Sequence, residues 1–434
     1  MAQVQPFRAY RYDLGRVGPL NKVIAPPYDV IDDALLHKLA ASDPHNVVHV
    51  DLPRPDPADK NPDACYARAG QRFKEWLREG VLKQDSARSL YVYHQDFESG
   101  GATYTRRGVL ARVRLERFDS GIIRPHEDTL AGPKQDRLRL LDATATNLSP
   151  GFGLYSDNGE VQSLLDNAVA GQPPTEATDH TGVRGRIWQV TDQQVISKVV
   201  GLLGPKPLLI ADGHHRYETS LAYRDQMLGD KVNQPGDEPV RYTLMQLVSM
   251  NDPGLIVLPT HRLVNGCGPI TADALTKNLA PAFDVKRVGD GKQAAAAAWD
   301  LVALEVGQGG LVFGLADGSW WIARPRDLSR MTELAADHSP AWRQLSVSVL
   351  HRLVLGQLIK PESGRGIKCD YVHLWQEAEE GVRQGKAEMA VLVPAVDVKG
   401  VETIAEGNER MPPKSTYFYP KLQTGFVFNP LNTN

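Results

Sequence analysis

One short run constrains this chain more than any other: Pro207-Leu208-Leu209-Ile210-Ala211, closed by Asp212-Gly213 and followed by a helical pattern from Tyr217 to Met227. A continuous apolar stretch of this length, bounded by proline and glycine, is expected to be a buried strand. Strand, glycine turn and helix in that order aim the helix's first N–H groups, and the positive end of its dipole, at whatever occupies the turn. The expected fold class is therefore α/β (α+β), with its working centre at Asp212-Gly213-His214-His215-Arg216. In open α/β sheets that strand edge is where ligands bind. Gly213 lets backbone approach a phosphate, and Arg216, His214 and His215 supply donors. Asp212 is the expected ligand of a magnesium ion bridging those phosphates.

The 434 residues suffice for roughly two to three domains with substantial cores. The segments divide as 1–85, a central domain 86–250 and a C-terminal α/β domain 251–434. A charge balance of 49 basic against 52 acidic residues lacks the excess that displaces counterions from duplex DNA, so no specific nucleic-acid partner is expected. Three dispersed cysteines form no zinc or disulfide framework and fit a reducing, cytoplasmic setting. The apolar segment from Ser346 to Ile359 is too short for a membrane span and carries His351 and Arg352.

Elsewhere, helices are predicted at Ala34 to Ala41, Ala64 to Glu79, Lys134 to Leu141, Val195 to Leu203, Gln293 to Val306 and Leu345 to Ile359. Strands are predicted at Phe7 to Asp13 and Ala390 to Val393, and as hairpins about Gly100-Gly101 and Asp317-Gly318. Val240 to Ser249 and Leu255 to Leu258 read as a strand pair joined through Asn251-Asp252-Pro253-Gly254. Pro26 and Pro27 make a rigid turn presenting Tyr28 and Asp29 to a substrate pocket. His126-Glu127 lies in a polar stretch, and Lys134 and Arg137 open a charged helix within reach of a phosphate or substrate carboxylate. His261-Arg262 follows a strand and is a candidate neighbour of the main site.

Lys414-Ser415-Thr416 is not a P-loop: Gly407 stands seven residues before Lys414, and Pro412 and Pro413 remove two N–H donors from any cradle. It reads instead as a rigid loop offering Lys414 and Ser415 to the site. A metallohydrolase is disfavoured, because successive helical residues such as His214 and His215 diverge by about 100°. No GxSxG elbow marks a serine hydrolase. A nucleotide sensor without chemistry needs only Asp212 to Arg216.

The run Ile210 to Arg216 resembles the phosphate-binding signature of the ParB/sulfiredoxin-like superfamily, especially its free serine kinase branch. More widely, Ala25 to Val30, His126 to Thr129, Ala211 to Thr219 and Met411 to Lys421 resemble a large uncharacterised family of bacterial and archaeal proteins. The first resemblance implies a site for ATP or ADP with Mg2+, and phosphoryl transfer to a small hydroxyl compound such as serine. In that branch an upstream glutamate is the general base. The candidate here is Glu127, acting with Asp212 and His215.

Overall fold

The computed structural model describes the chain except residues 60, 62, 129–130, 363–365 and 433–434. It is a mixed α/β structure that divides into two compact units. Unit 1 comprises Met1–Pro125, Thr129–Ile256 and Pro420–Asn434; unit 2 comprises His126–Asp128 and Val257–Tyr419.

Unit 1 is built on a nine-stranded sheet. Its strands are β1 (Val4–Gln5), β2 (Leu90–Ser99), β3 (Ala102–Arg114), β4 (Ile123–Pro125), β5 (Gly151–Tyr155), β6 (Thr175–Thr178), β7 (Arg184–Val190), β8 (Leu208–Asp212) and β9 (Tyr242–Ser249). They run in the order β4-β8-β5-β9-β3-β2-β7-β6, with β1 beside β3. Besides the single turn Leu14–Val17, its α-helices are α1 (Asp33–Ser42), α2 (Val48–Asp51), α3 (Ala64–Arg78), α4 (Ala131–Thr144), α5 (Glu160–Val169), α6 (Gln193–Leu203) and α7 (His214–Leu228).

Alternation gives the sheet two different faces. One carries Val92, Val109, Ala111, Val113, Met245 and Leu247, and buries them with Val161 and Leu165 of α5, Ile196 and Val199 of α6, and Tyr217 of α7. The other presents Tyr93, Gln95 and Arg106, and the chain's last segment returns to cover it. Gln95 donates to the Lys421 carbonyl at 3.0 Å, the Tyr93 hydroxyl to Gln423 at 2.9 Å, and the Phe426 ring lies 5.2 Å from that of Tyr93. Gly185 makes this closure possible, since a Cβ there would meet the Phe426 ring at 2.7 Å.

The hairpin at Gly100-Gly101 forms as expected, with β2 and β3 paired from Ser99↔Ala102 inwards. β8 and α7 also form, and Gly213 starts α7 three residues earlier than the periodicity indicated. The pairing expected of Val240 to Ser249 with Leu255 to Leu258 does not occur. β9 is buried along its whole length between β3 and β5, which leaves it no open edge. The short strand Ile256–Leu258, at the crossing into unit 2, pairs with Tyr417–Tyr419 instead. The expected strand over Phe7 to Asp13 contracts to Tyr10–Tyr12, paired with Leu82–Gln84.

Unit 2 has a six-stranded antiparallel sheet. Its strands are β10 (His261–Asn265), β11 (Phe283–Asp290), β12 (Leu311–Leu315), β13 (Ser319–Pro325), β14 (Lys368–Val372) and β15 (Met389–Leu392), in the order β11-β13-β12-β15-β10-β14. The small side chains Ala294, Ala295 and Ala298 of α8 (Gly291–Leu301) and Ala378 of α9 (Trp375–Arg383) pack onto Val312, Ile322, Ala390 and Leu392. Two expected helices change winding. α8 continues as a π-helix over Val302–Val306, closed by Gly307 N–H on the Val302 carbonyl at 3.0 Å. The amphipathic stretch from Leu345 is α-helical over Ser346–Ser348 and π-helical over Val349–Leu358. Among the described residues no helix is long and apolar enough to cross a membrane.

Candidate functional site

The β8–α7 turn of unit 1 is shaped by Gly213. Its φ of 83° lies in the left-handed region, and a Cβ would fall 2.9 Å from Arg216 Nε. Glycine at the N-cap also brings no side-chain oxygen of its own to the first turn of α7. His214 is buried and His215 half-buried there.

Asp212 closes the strand between two cations. Its Oδ1 accepts from Lys421 Nζ at 2.6 Å and its Oδ2 from Arg216 Nη2 at 2.8 Å. Burial opposes the charge on Asp212, but Lys421 and Arg216 outweigh it and hold the carboxyl well below the usual carboxylate range. Arg216 also gives Nη1 to the Pro150 carbonyl at 2.6 Å. A third cation, Arg106, is fully buried with its guanidinium 4.6 Å over the Phe152 ring. Burial lowers its pKa to about 10, against the pull of Tyr93, Asp252 and Asp212. Three cations therefore act around Asp212 at the positive end of a 15-residue helix.

A magnesium ion at Asp212 would compete with Lys421 and Arg216 for the carboxylate oxygens. Both Asp212 oxygens already accept from cationic groups, and no cluster of three or more His, Cys, Asp or Glu residues exists among the described residues. Asp212, the residue expected to hold magnesium, here positions two cations, Lys421 and Arg216.

Arg137 lies in the same unit. It donates to the Asp51 carbonyl at 2.6 Å, pairs with Asp136, and stands 4.2 Å over the Tyr28 ring. Burial pushes the Tyr28 hydroxyl up to about 12, with Asp29 and Asp51 adding to the shift while Arg216 and Arg137 oppose it. Arg137, Arg216 and Asp51 line one small cavity of about 50 Å3 together with the hydroxyl residues Ser149, Thr219, Ser220 and Thr243. Lys134 is turned into an ion pair with Glu218 of α7 at 2.5 Å. Asp29 is exposed at the surface. Three functional candidates were not singled out in the sequence. Asp51 is an acid inside an apolar run, Arg106 a charge at an inward strand position, and Lys421 the residue after Pro420.

The remaining candidates belong to unit 2, where most of them gather around one loop. Lys414 adopts φ 60°, which turns successive N–H groups the same way. Glu127 fills that nest: it accepts from Ser415 N at 2.8 Å, Thr416 N at 2.9 Å and Lys414 N at 3.3 Å. His126 is fully buried, with Nε2 2.7 Å from the Thr416 hydroxyl. Arg262 donates to the Lys414 carbonyl at 3.0 Å. His261, next to Arg262 in β10, faces the opposite way because strand side chains alternate. It packs edge-on to Trp299, and its Nδ1 accepts from Val393 N at 3.2 Å.

Taken together, the fold and the site define a two-unit α/β protein with a cation-rich strand–glycine–helix turn. The chain belongs to the family described as "Protein of unknown function (DUF1015)", whose model matches residues 4–348. No curated protein matches it. Among solved structures, it is similar to a mutant free serine kinase in complex with AMP, at 12% identity and TM-score 0.35, over 74% of this chain and 92% of that one. A conserved hypothetical protein from Pyrococcus furiosus matches at 13% identity and TM-score 0.34, covering 74% and 94%. C-terminally truncated SbnI from Staphylococcus aureus matches at 11% and 0.34, covering 74% and 87%.

Proposed function

We propose that this chain binds a nucleotide through the β8–α7 turn and transfers a phosphoryl group between that nucleotide and a small hydroxyl compound, with serine or a related amino acid as the first candidate. The observation that carries the binding part is the charge balance at the turn. Arg106, Arg216 and Lys421 act around one carboxylate, Asp212, at the N-terminus of α7. Phosphate oxygens are the ligand such a site favours. Gly213, His214, His215 and Arg216 are assigned to the phosphates, with Arg137 behind them at the cavity. Lys134 joins them only by leaving Glu218. The resemblance of Ile210 to Arg216 to the ParB/sulfiredoxin-like signature supports the same reading. Tyr28 and Asp29 are assigned to the substrate side.

Glu127 is the residue on which catalysis turns. To take a proton from an acceptor hydroxyl, it would have to release the N–H groups of residues 414–416. That observation favours a second reading, in which the chain binds nucleotide as a sensor without chemistry. Two measurements on the full chain test these readings. Thermal shift with ATP, ADP and AMP, with and without magnesium, should raise the apparent melting temperature by several degrees at ligand far above Kd. Absence of any shift at millimolar nucleotide would remove both readings. Release of ADP dependent on serine or another hydroxyl acceptor would then separate kinase from sensor.

A further inference from the structure

Away from the β8–α7 turn, helices α1, α2 and α3 of unit 1 enclose a cleft of about 250 Å3. Its walls are apolar: Leu36 and Ala40 from α1, Val48 from α2, Leu52 just beyond it, and Cys65 and Ala69 from α3. The rim is cationic. Arg54, Arg68 and Arg72 line it with His37 and His49, and no described carboxylate does. Two of these arginines are neutralised from outside the cleft, Arg54 by Asp33 at 2.8 Å and Arg68 by Asp59. Arg72 has no ion-pair partner among the described residues. Its field reaches inward: after burial, the Arg72 charge is the next cause holding the His49 imidazole below its ordinary range.

An apolar recess with one uncompensated cation at its mouth selects for both properties at once. Water solvates the arginine but gains nothing from the walls, and an uncharged apolar ligand gains the walls but leaves the charge unanswered. The volume falls just under the roughly 300–1,000 Å3 of sites for drug-sized molecules, so the occupant is smaller than a nucleotide. We propose that this cleft is a second ligand site, independent of the nucleotide reading, that takes a small amphipathic carboxylate. Its apolar body lies against Leu36, Val48, Leu52 and Ala69, and its head group meets Arg72.

Isothermal titration of the full chain with octanoate, octanol and acetate tests this. Octanoate should bind at one site. Octanol, lacking the charge, and acetate, lacking the body, should each bind at least tenfold more weakly. Arg72→Glu, at an exposed position that leaves the helix core untouched, should weaken octanoate at least tenfold while the melting temperature stays unchanged. Ala69→Phe, which fills the cleft, should abolish the titration. No octanoate binding at millimolar concentration, equal binding of octanol, or wild-type affinity in Arg72→Glu would each overturn the proposal.

Discussion

Asp212 shows how one carboxylate can fix two cations in place. It holds Arg216 and Lys421 from both sides, and those cations in turn keep it ionised. Asp212→Asn removes the charge and leaves two largely buried cations facing a neutral amide, at a cost of about 3 kcal/mol in urea unfolding. The native carboxyl titrates below its unfolded value, so its contribution is fully present above about pH 4 and fades as pH falls below that. The difference between Asp212→Asn and wild type should therefore narrow in acid; a constant difference down to pH 3 would show that the pair is not the cause. Gly213→Ala meets both a left-handed φ and the Arg216 guanidinium. It should cost about 1–2 kcal/mol and, if the turn holds a nucleotide as proposed, weaken that binding by displacing Arg216.

At the scale of elements, the 411–419 loop is held by complementary charges. Glu127 takes its N–H groups, and Arg262 takes the Lys414 carbonyl. Charge-assisted bonds of this kind are worth roughly 1.5–3 kcal/mol. Glu127→Ala should accelerate hydrogen exchange at Ser415 and Thr416 by about tenfold or more, whether or not the chain is an enzyme. If Glu127 is also the general base, Glu127→Gln should lower turnover by roughly 10²–10⁴ with nucleotide affinity nearly unchanged. Exchange unaffected by Glu127→Ala would mean that the clasp contributes nothing in solution. The terminal segment over the unit 1 sheet is held by shape as well as by its hydrogen bonds and the Lys421–Asp212 pair. Gly185→Val should push Phe426 and Gln423 away and destabilise unit 1 by about 1–3 kcal/mol.

For the whole molecule, histidines lowered by burial set the response to mild acid, and three of them are lowered far. His94 in unit 1 and His261 and His351 in unit 2 are each lowered, chiefly by burial, to about 4, 3 and 4. Their unfolded forms take up protons near pH 6.5 while the native forms do not, so stability should be full above that pH and fall as pH drops from 6.5 toward 4. Each group contributes a slope of up to about 1.4 kcal/mol per pH unit. His261 has a further reason to resist: protonating Nδ1 would break the bond it accepts from Val393 N–H. Unfolding midpoints at pH 7 and pH 5 should separate clearly in the wild type and less in His261→Leu. Equal midpoints in the wild type would show these histidines to be solvated.

What the sequence determined on its own is local. Pro207 to Gly213 had to be a strand and a turn, because a short apolar run between proline and glycine has few other solutions. Gly100-Gly101 and Asp317-Gly318 had to be hairpin turns, since left-handed backbone suits glycine, and the alternation and composition implied a mixed α/β fold. The tertiary structure decided everything that depends on which segments meet. Local sequence pairs β9 with its neighbour Leu255 to Leu258, but it is enclosed by β3 and β5, because a strand buried on both faces pairs where the core is, not where the chain is near. Lys421, 209 residues from Asp212, carries no local signal of its role. Neither does the nest that Lys414 builds for Glu127 across 287 residues. Periodicity reports a residue's face, but a partner so distant is chosen only when burial forces each charge to find its counter-charge.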